Sequence, residues 1–298
     1  MKIRILLLCF ILFFGLTGFS QKKEDFKKLV EQTNYYLENY NRLDFLGSDM
    51  YHSVRDLKLS KNDLKEITKN SDEERDFSIN RDSISNDILY SFFLEKINLN
   101  FDKIFSHKDF GKYDLVLLMK NRIDILKSDD NKLYTFSIDE KTGGSYRSRI
   151  SFVYHTEVKN QWKWIMENPD ETFNNDGYYN LYTLKTDSDE TLYVLEGSVR
   201  GCGTCIGSYI DVVSVENGIF NNVFSYSVSV RGGGGVLYNP DLKTIYVEYE
   251  TSDLTGNCYC RNHSDFEDDF RKKCECVFVF NGTTFELVKE SWEKINEE

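Results

Sequence analysis

Apolar positions recur along this chain with two different periods. Phe26, Leu29, Val30, Thr33, Tyr36, Leu37 and Tyr40 mark one face of a helix. Ser60 and Asp63 are placed to cap a short second helix carrying Leu64 and Ile67. Lys69–Asp87 is polar and charged and reads as a loop. Ile88, Leu89, Phe92, Phe93 and Ile97 then predict a third helix. Residues 21–110 are thus expected to form an N-terminal helical region.

After about Lys112 the pattern changes to strand-like alternation broken by turns, and one layout occurs three times. Unit A places Arg122–Ser128 before a turn at Asp129–Lys132 and a second strand at Leu133–Asp139. Unit B has Tyr178–Thr186, a turn at Asp187–Glu190 and Thr191–Gly197. Unit C has Val228–Tyr238, a turn at Asn239–Leu242 and Thr244–Glu250. An apolar–Tyr pair marks each second strand: Leu133-Tyr134, Leu192-Tyr193 and Ile245-Tyr246. Third strands are expected at Ile150–His155, Tyr209–Val215 and Cys276–Phe280. Asn217-Gly218 and Asn281-Gly282 then suit type I′ hairpins, while unit A turns at Lys159–Gln161 before Trp162 and Trp164. The predicted fold is mainly β with an N-terminal helical region. Three four-stranded antiparallel meanders, spaced by roughly 55 residues over 112–290, are expected to stack like propeller blades. A β-sandwich or barrel is the alternative. Closed propellers need at least about four blades, so a fourth is hidden in the helical region or the array stays open.

The first 20 residues follow a different logic. Lys2 and Arg4 precede an apolar run from Ile5 to Phe14, and Gly18 and Ser20 stand where a signal peptidase needs small residues. Residues 1–20 are read as a cleaved signal peptide, with the mature chain starting near Gln21 in the periplasm, at the cell surface or outside the cell. The run is too short for a spanning helix, which needs about 20 apolar residues. Cys9 lies inside it, behind Leu8, which excludes a lipid-anchored cysteine. No transmembrane segment is expected in the mature chain.

Charge narrows the partners. The chain of 298 residues has a formal charge of −12; loss of Lys2 and Arg4 leaves 35 basic residues against 49 acidic ones, or −14. Such a surface repels phosphate backbones and anionic lipid, so nucleic acid is not an expected partner. Six cysteines remain after cleavage: Cys202, Cys205, Cys258, Cys260, Cys274 and Cys276. In an exported chain they point first to disulfides. Opposed positions in an antiparallel pair have a constant sum, so a register pairing Cys258 with Cys276 also pairs Cys260 with Cys274. The rivals are a four-cysteine zinc site and a redox-active Cys202/Cys205 pair.

The stretch Ser128-Asp-Asp-Asn-Lys-Leu-Tyr-Thr-Phe-Ser-Ile-Asp-Glu-Lys-Thr-Gly-Gly144 resembles a group of uncharacterised exported bacterial proteins whose shared segment reads S-P-D-x-K-F-R-I-Y-S-W-D-x-x-T-G-G. It covers 17 residues. It departs at Asp129, where the family has Pro, and at Ile138, where it has Trp. The resemblance implies an exported turn–strand–loop and no known activity.

The loops between second and third strands would emerge at one end of stacked units. They bring Arg147, Arg149, Arg200, Arg261 and His263 into one basic rim suited to an anionic ligand, such as an acidic glycan or a carboxylate peptide. The bland alternative is that these side chains solvate loop tips. Gly232–Gly235 interrupts the first strand of unit C and is explained by crowding near a propeller axis. Asp265, Glu267, Asp268 and Asp269 lack the spacing of a calcium loop and read as a solvated hairpin tip. The four histidines form no H-E-x-x-H, and no G-x-S-x-G elbow is present, so no catalytic residue, metal or cofactor is assigned. The expected function is a non-catalytic binding or interaction protein for a protein, peptide or glycan ligand. The alternative is a hydrolase of an exported or cell-envelope substrate.

Overall fold

The computed structural model describes residues 25–43, 51–71, 83–141, 148–158, 172–173, 176–201, 203, 205–231, 234–251 and 272–295. The expected signal peptide lies outside them, as do Trp162 and Trp164 and the acidic residues 265–269. Among the described residues, no helix is long and apolar enough to cross a membrane.

Helix α1 (Phe26–Asn41) buries the face expected of it, from Phe26 to Tyr40, and Asp25 caps it by accepting from Lys27 N. Helix α2 (Lys61–Ser71) starts at a reciprocal cap. Asp63 N donates to Ser60 Oγ and Ser60 N to Asp63 Oδ2, each at 3.1 Å. Ser85 caps α3 (Asn86–Ser106), whose Leu89, Phe92, Phe93 and Ile97 are buried. Two short strands, β1 (Tyr51–Ser53) and β2 (Ser83–Ser85), pair antiparallel. The second falls inside the segment expected to be a loop. A single turn, α4 (Leu115–Leu118), leads to the sheets.

Three antiparallel sheets follow, each a simple meander in chain order. Sheet I holds β3 (Asp124–Lys127), β4 (Leu133–Asp139) and β5 (Arg149–His155). Sheet II holds β6 (Asn180–Lys185), β7 (Thr191–Arg200), β8 (Cys205–Glu216) and β9 (Ile219–Arg231). Sheet III holds β10 (Gly234–Asn239), β11 (Thr244–Thr251), β12 (Lys272–Phe280) and β13 (Phe285–Lys294). Sheet I shows three strands rather than four among the described residues, because the expected fourth falls on undescribed ones. Among the described strands, no sheet closes on itself. The internal repeat extends to a detail: a bulge opposes Val212/Val213 in unit B and Val277/Phe278 in unit C, at the same junction of third and fourth strands.

Strand alternation explains why the sheets stack. Tyr134, Phe136, Ile138, Ile150 and Phe152 leave one face of sheet I and join the helices in one core. Leu133 and Val153 leave the other face and meet Tyr193, Leu195, Tyr209 and Val213 of sheet II. Leu192, Val194, Ile210 and Val212, on the far side of sheet II, pack against Val236, Ile245, Val247, Cys274 and Cys276 of sheet III. The order is therefore helices, sheet I, sheet II, sheet III. Sheet III carries Leu237, Tyr246 and Val277 in register on its outer side, with ion pairs Lys273–Glu248 and Lys289–Glu275 beside them.

Three expectations need correction. Val228–Val230 belongs to β9, the last strand of unit B, so the glycine run joins two sheets rather than interrupting one strand. Close approach is the reason: a Cβ on Gly234 would sit 2.1 Å from the Glu248 carbonyl oxygen, and one on Gly235 2.8 Å from Ser208 Oγ. Asn217-Gly218 does form a two-residue turn with both φ angles positive, at 54° and 75°. The second Asn-Gly does not, because Asn281–Thr284 is a four-residue loop whose Thr283 and Thr284 amides donate to Asn281 Oδ1.

The expected alignment of the cysteines is the third correction. β11 sets Val247 opposite Cys276 and Tyr249 opposite Cys274, so the register inferred from the cysteine spacing is not the one this strand pair forms. Among the described residues no two sulfurs lie at bonding distance. Cys274 and Cys276 do share a face, which is the inward one, and both are buried. Cys202, Cys258 and Cys260 lie outside the described residues.

Candidate functional site

The hairpin turn Asp129–Lys132 stands between two clefts, one on each face of sheet I. Its geometry is fixed from within. Ser128 Oγ donates to Asp130 Oδ1 at 2.6 Å and accepts from Leu133 N at 2.9 Å, while Lys132 N donates to Asp130 Oδ1 at 3.0 Å. Asn131 takes the left-handed conformation that closes the turn, with φ 59°.

On the sheet II side, the exposed Asp130 begins a polar chain that runs inward to His155. Tyr193 Oη donates to Asp130 Oδ2 at 2.8 Å and lies 2.9 Å from His155 Nε2. Glu157 N donates to His155 Nδ1 at 3.2 Å. An Nδ1 that accepts leaves the proton on Nε2, so His155 donates to Tyr193 and Tyr193 donates to Asp130. Burial pushes the His155 pKa below its usual value, against the pull of Glu157 and Asp130. Burial alone would raise Asp130, but its bonds from Ser128, Lys132 N and Tyr193 bring it below the usual carboxylate range. Burial, then the bond to Asp130, raises the Tyr193 pKa. His155 and Tyr193 themselves line a cleft of about 190 Å³, with Lys132, Glu157, Glu190 and Glu216 among its other walls. Lys132 pairs with Glu157 at 2.5 Å across its mouth.

The cleft on the helical side is larger, about 420 Å³, and chemically different. Phe110, Tyr113 and Tyr134 give it aromatic walls, and Lys112, Asp114, Lys127, Asn131 and Thr156 complete it. Lys127 and Tyr134 are directly opposed across β3 and β4, so they share the face that looks toward the helices. Tyr113 is fixed by stacking on Phe26, centroids 5.3 Å apart and planes 11° from parallel, yet it stays 39% exposed. Tyr134 is only 6% exposed, but its hydroxyl is not among the buried polar atoms that lack a partner. Burial, then the Asp114 and Asp130 carboxylates, raises its pKa, so it remains a donor. Lys112 is paired with Asp109 at 2.6 Å, whereas Lys127 makes no ion pair among the described residues. Asp114 accepts from Val116 N at 3.1 Å and Leu117 N at 3.4 Å, which offsets its charge.

Of the five residues expected to form a basic rim, Arg149 and Arg200 are described. Arg149 opposes Asp139 in register and forms an ion pair with Asp124, while its Nε is buried without a partner among the described residues. Arg200, at the end of β7, donates to the Gly203 carbonyl of its own loop at 3.2 Å. Arg147, Arg261 and His263 lie outside the described residues. The sequence did mark Tyr134, as half of the repeated apolar–Tyr pair, but gave Lys127, Phe110 and Tyr113 no role. Only the cross-strand opposition of Lys127 and Tyr134 about the turn was readable beforehand.

Comparison with family models, curated proteins and solved structures finds no match. The chemistry of the site is therefore read from its own geometry.

Proposed function

We propose that the mature chain is an exported, non-catalytic binding protein that seats a small anionic ligand in the cleft between the helical layer and sheet I. The three sheets act as an open, propeller-like stack that holds this cleft rigid. One observation carries the reading: Lys127, which makes no ion pair among the described residues, and Tyr134, directly opposite it across β3 and β4, line one cavity together. An unpaired ammonium beside a hydroxyl donor suits an anionic acceptor. The volume falls within the range of small-molecule pockets, about 300–1,000 Å³.

The network around His155 supports a structural role for that residue. Both ring nitrogens are engaged, so the imidazole has no lone pair with which to take a substrate proton. On this reading Arg149 steadies β3 against β5 through Asp124, and the ligand sits at the opposite end from the expected rim.

Protein recovered from its native cells should begin near Gln21. Calorimetric titration with benzoate, citrate and glucuronate should give saturable binding with at least one. Lys127→Ala should weaken it by about tenfold, the loss of one charge-assisted contact. Ester or glycoside hydrolysis that His155→Gln abolishes would overturn the non-catalytic reading.

A further inference from the structure

We propose that Asn217 is a site of spontaneous chemical modification, where the carboxamide is lost as ammonia and an aspartyl or isoaspartyl residue results, whereas the fold protects the second Asn-Gly pair, Asn281-Gly282. The site is the tip of the β8–β9 hairpin and stands apart from the ligand cleft.

Both pairs have the same covalent chemistry. The glycine amide nitrogen attacks Cγ of the asparagine before it. A C–N bond closes a five-membered imide ring, the Cγ–Nδ2 bond breaks, and Nδ2 leaves as ammonia with the proton of the attacking amide. Water, the only co-reactant, then opens the ring at either carbonyl. One opening leaves an aspartate in an ordinary backbone. The other routes the backbone through the side-chain carbon as isoaspartate. Glycine favours ring closure because no Cβ screens the nitrogen and the backbone bends freely.

Local structure separates the two sites. Asn217 is exposed, and its carboxamide has no hydrogen-bond partner among the described residues. It sits just beyond the Glu216–Ile219 pair that ends the ladder. Opening this tip disturbs the end of one hairpin, where local unfolding costs least. Asn281 is held at both ends of its carboxamide. Oδ1 accepts from Thr283 N, Thr283 Oγ1 and Thr284 N, each at 3.0 Å, and Nδ2 donates to Glu286 Oε1 at 2.6 Å. The attacking residue is anchored as well, since Gly282 O accepts from Asp187 N at 2.9 Å. Ring closure at Asn281 must therefore break four side-chain bonds, and at Asn217 it breaks none.

The product bears on the join between sheets I and II. A Cβ at Gly218 would lie 3.2 Å from the Glu157 carbonyl oxygen, and Glu216 lines the smaller cleft together with Glu157 and Glu190. A carboxylate at residue 217 adds negative charge beside that acidic rim. The isoaspartyl form also inserts an extra backbone atom into a two-residue turn whose geometry sets the hairpin register.

The test stores the mature chain in warm, mildly alkaline buffer, with a parallel sample in urea. Proteolysis and fragment mass spectrometry then follow the amide-to-acid change at each asparagine. In the folded chain Asn217 should convert at least about tenfold faster than Asn281, and in urea the two rates should agree within about threefold. Asn217→Gln should remove the signal from its fragment, which also carries Asn221 and Asn222. Equal rates at the two sites in the folded chain, or a faster Asn281, would overturn the proposal. So would an Asn217 that stays intact while both sites convert in urea, or a signal that persists in Asn217→Gln.

Discussion

His155 shows how one side chain couples two sheets to acidity. It leaves sheet I, reaches Tyr193 of sheet II and packs edge-on against Tyr193 and Phe220. Asp130, Lys132 and Glu157 face it from its own sheet. Folding holds the ring neutral below its ordinary pKa of 6.5, so near and below that value the unfolded chain binds more protons than the folded one. The stability this histidine contributes is complete above the ordinary value and is lost as the pH falls through the lower folded value. Protonation at Nδ1 would also aim a hydrogen at the Glu157 amide. Urea midpoints measured between about pH 7.5 and 5 should therefore decline for the native chain, and His155→Gln should flatten that decline. Asp130, held below the usual carboxylate range, acts in the same direction further down, where its own protonation removes support.

At the level of elements, the two Asn-Gly turns behave differently although they read alike. Gly218 belongs to a tight turn, where a Cβ would meet the Glu157 carbonyl oxygen at 3.2 Å, a close contact that a small shift relieves. Gly282 has φ 100°, accepts from Asp187 N at 2.9 Å, and would place a Cβ 2.1 Å from Asp187 Oδ2. Gly218→Ala should cost about 1–2 kcal/mol, the usual penalty for a side chain in the left-handed region. Gly282→Ala should cost more, because it also pushes sheet III away from the turn of sheet II; chemical denaturation of the two variants gives the comparison. The sequence made the strands themselves legible, since Leu133-Tyr134, Leu192-Tyr193 and Ile245-Tyr246 each follow a polar turn. It made the helical face of α1 legible for the same reason, a period that survives without context. Register was not legible in unit C. The cysteine spacing permitted one alignment, but burial of Val247 and Tyr249 opposite Cys276 and Cys274 selects another. The candidate site was hidden for a related reason, because Phe110 and Tyr113 reach Tyr134 only through packing between distant segments.

Across the whole molecule, the helical region is the cover of sheet I. Phe101 and Phe105 pack against Phe136, and Phe105 stacks on Tyr154 at 4.1 Å. A chain starting at residue 112 would leave Tyr134, Phe136, Ile138, Ile150 and Phe152 facing water. Such a fragment should aggregate or lose its fold, whereas the chain from Gln21 should unfold in one transition by calorimetry. A stable, soluble fragment 112–298 would show that the helices form a separate unit.

The outer side of sheet III has a different fate from every other sheet surface here. Its oily row of Leu237, Tyr246 and Val277 runs beside a ladder of four charges, Glu248 with Lys273 and Glu275 with Lys289. Any further layer laid on that surface, including a sibling molecule, would have to dehydrate the whole ladder for a narrow strip of contact. The pile of sheets is thus told where to stop: one end wears a helical lid, and the other keeps its water.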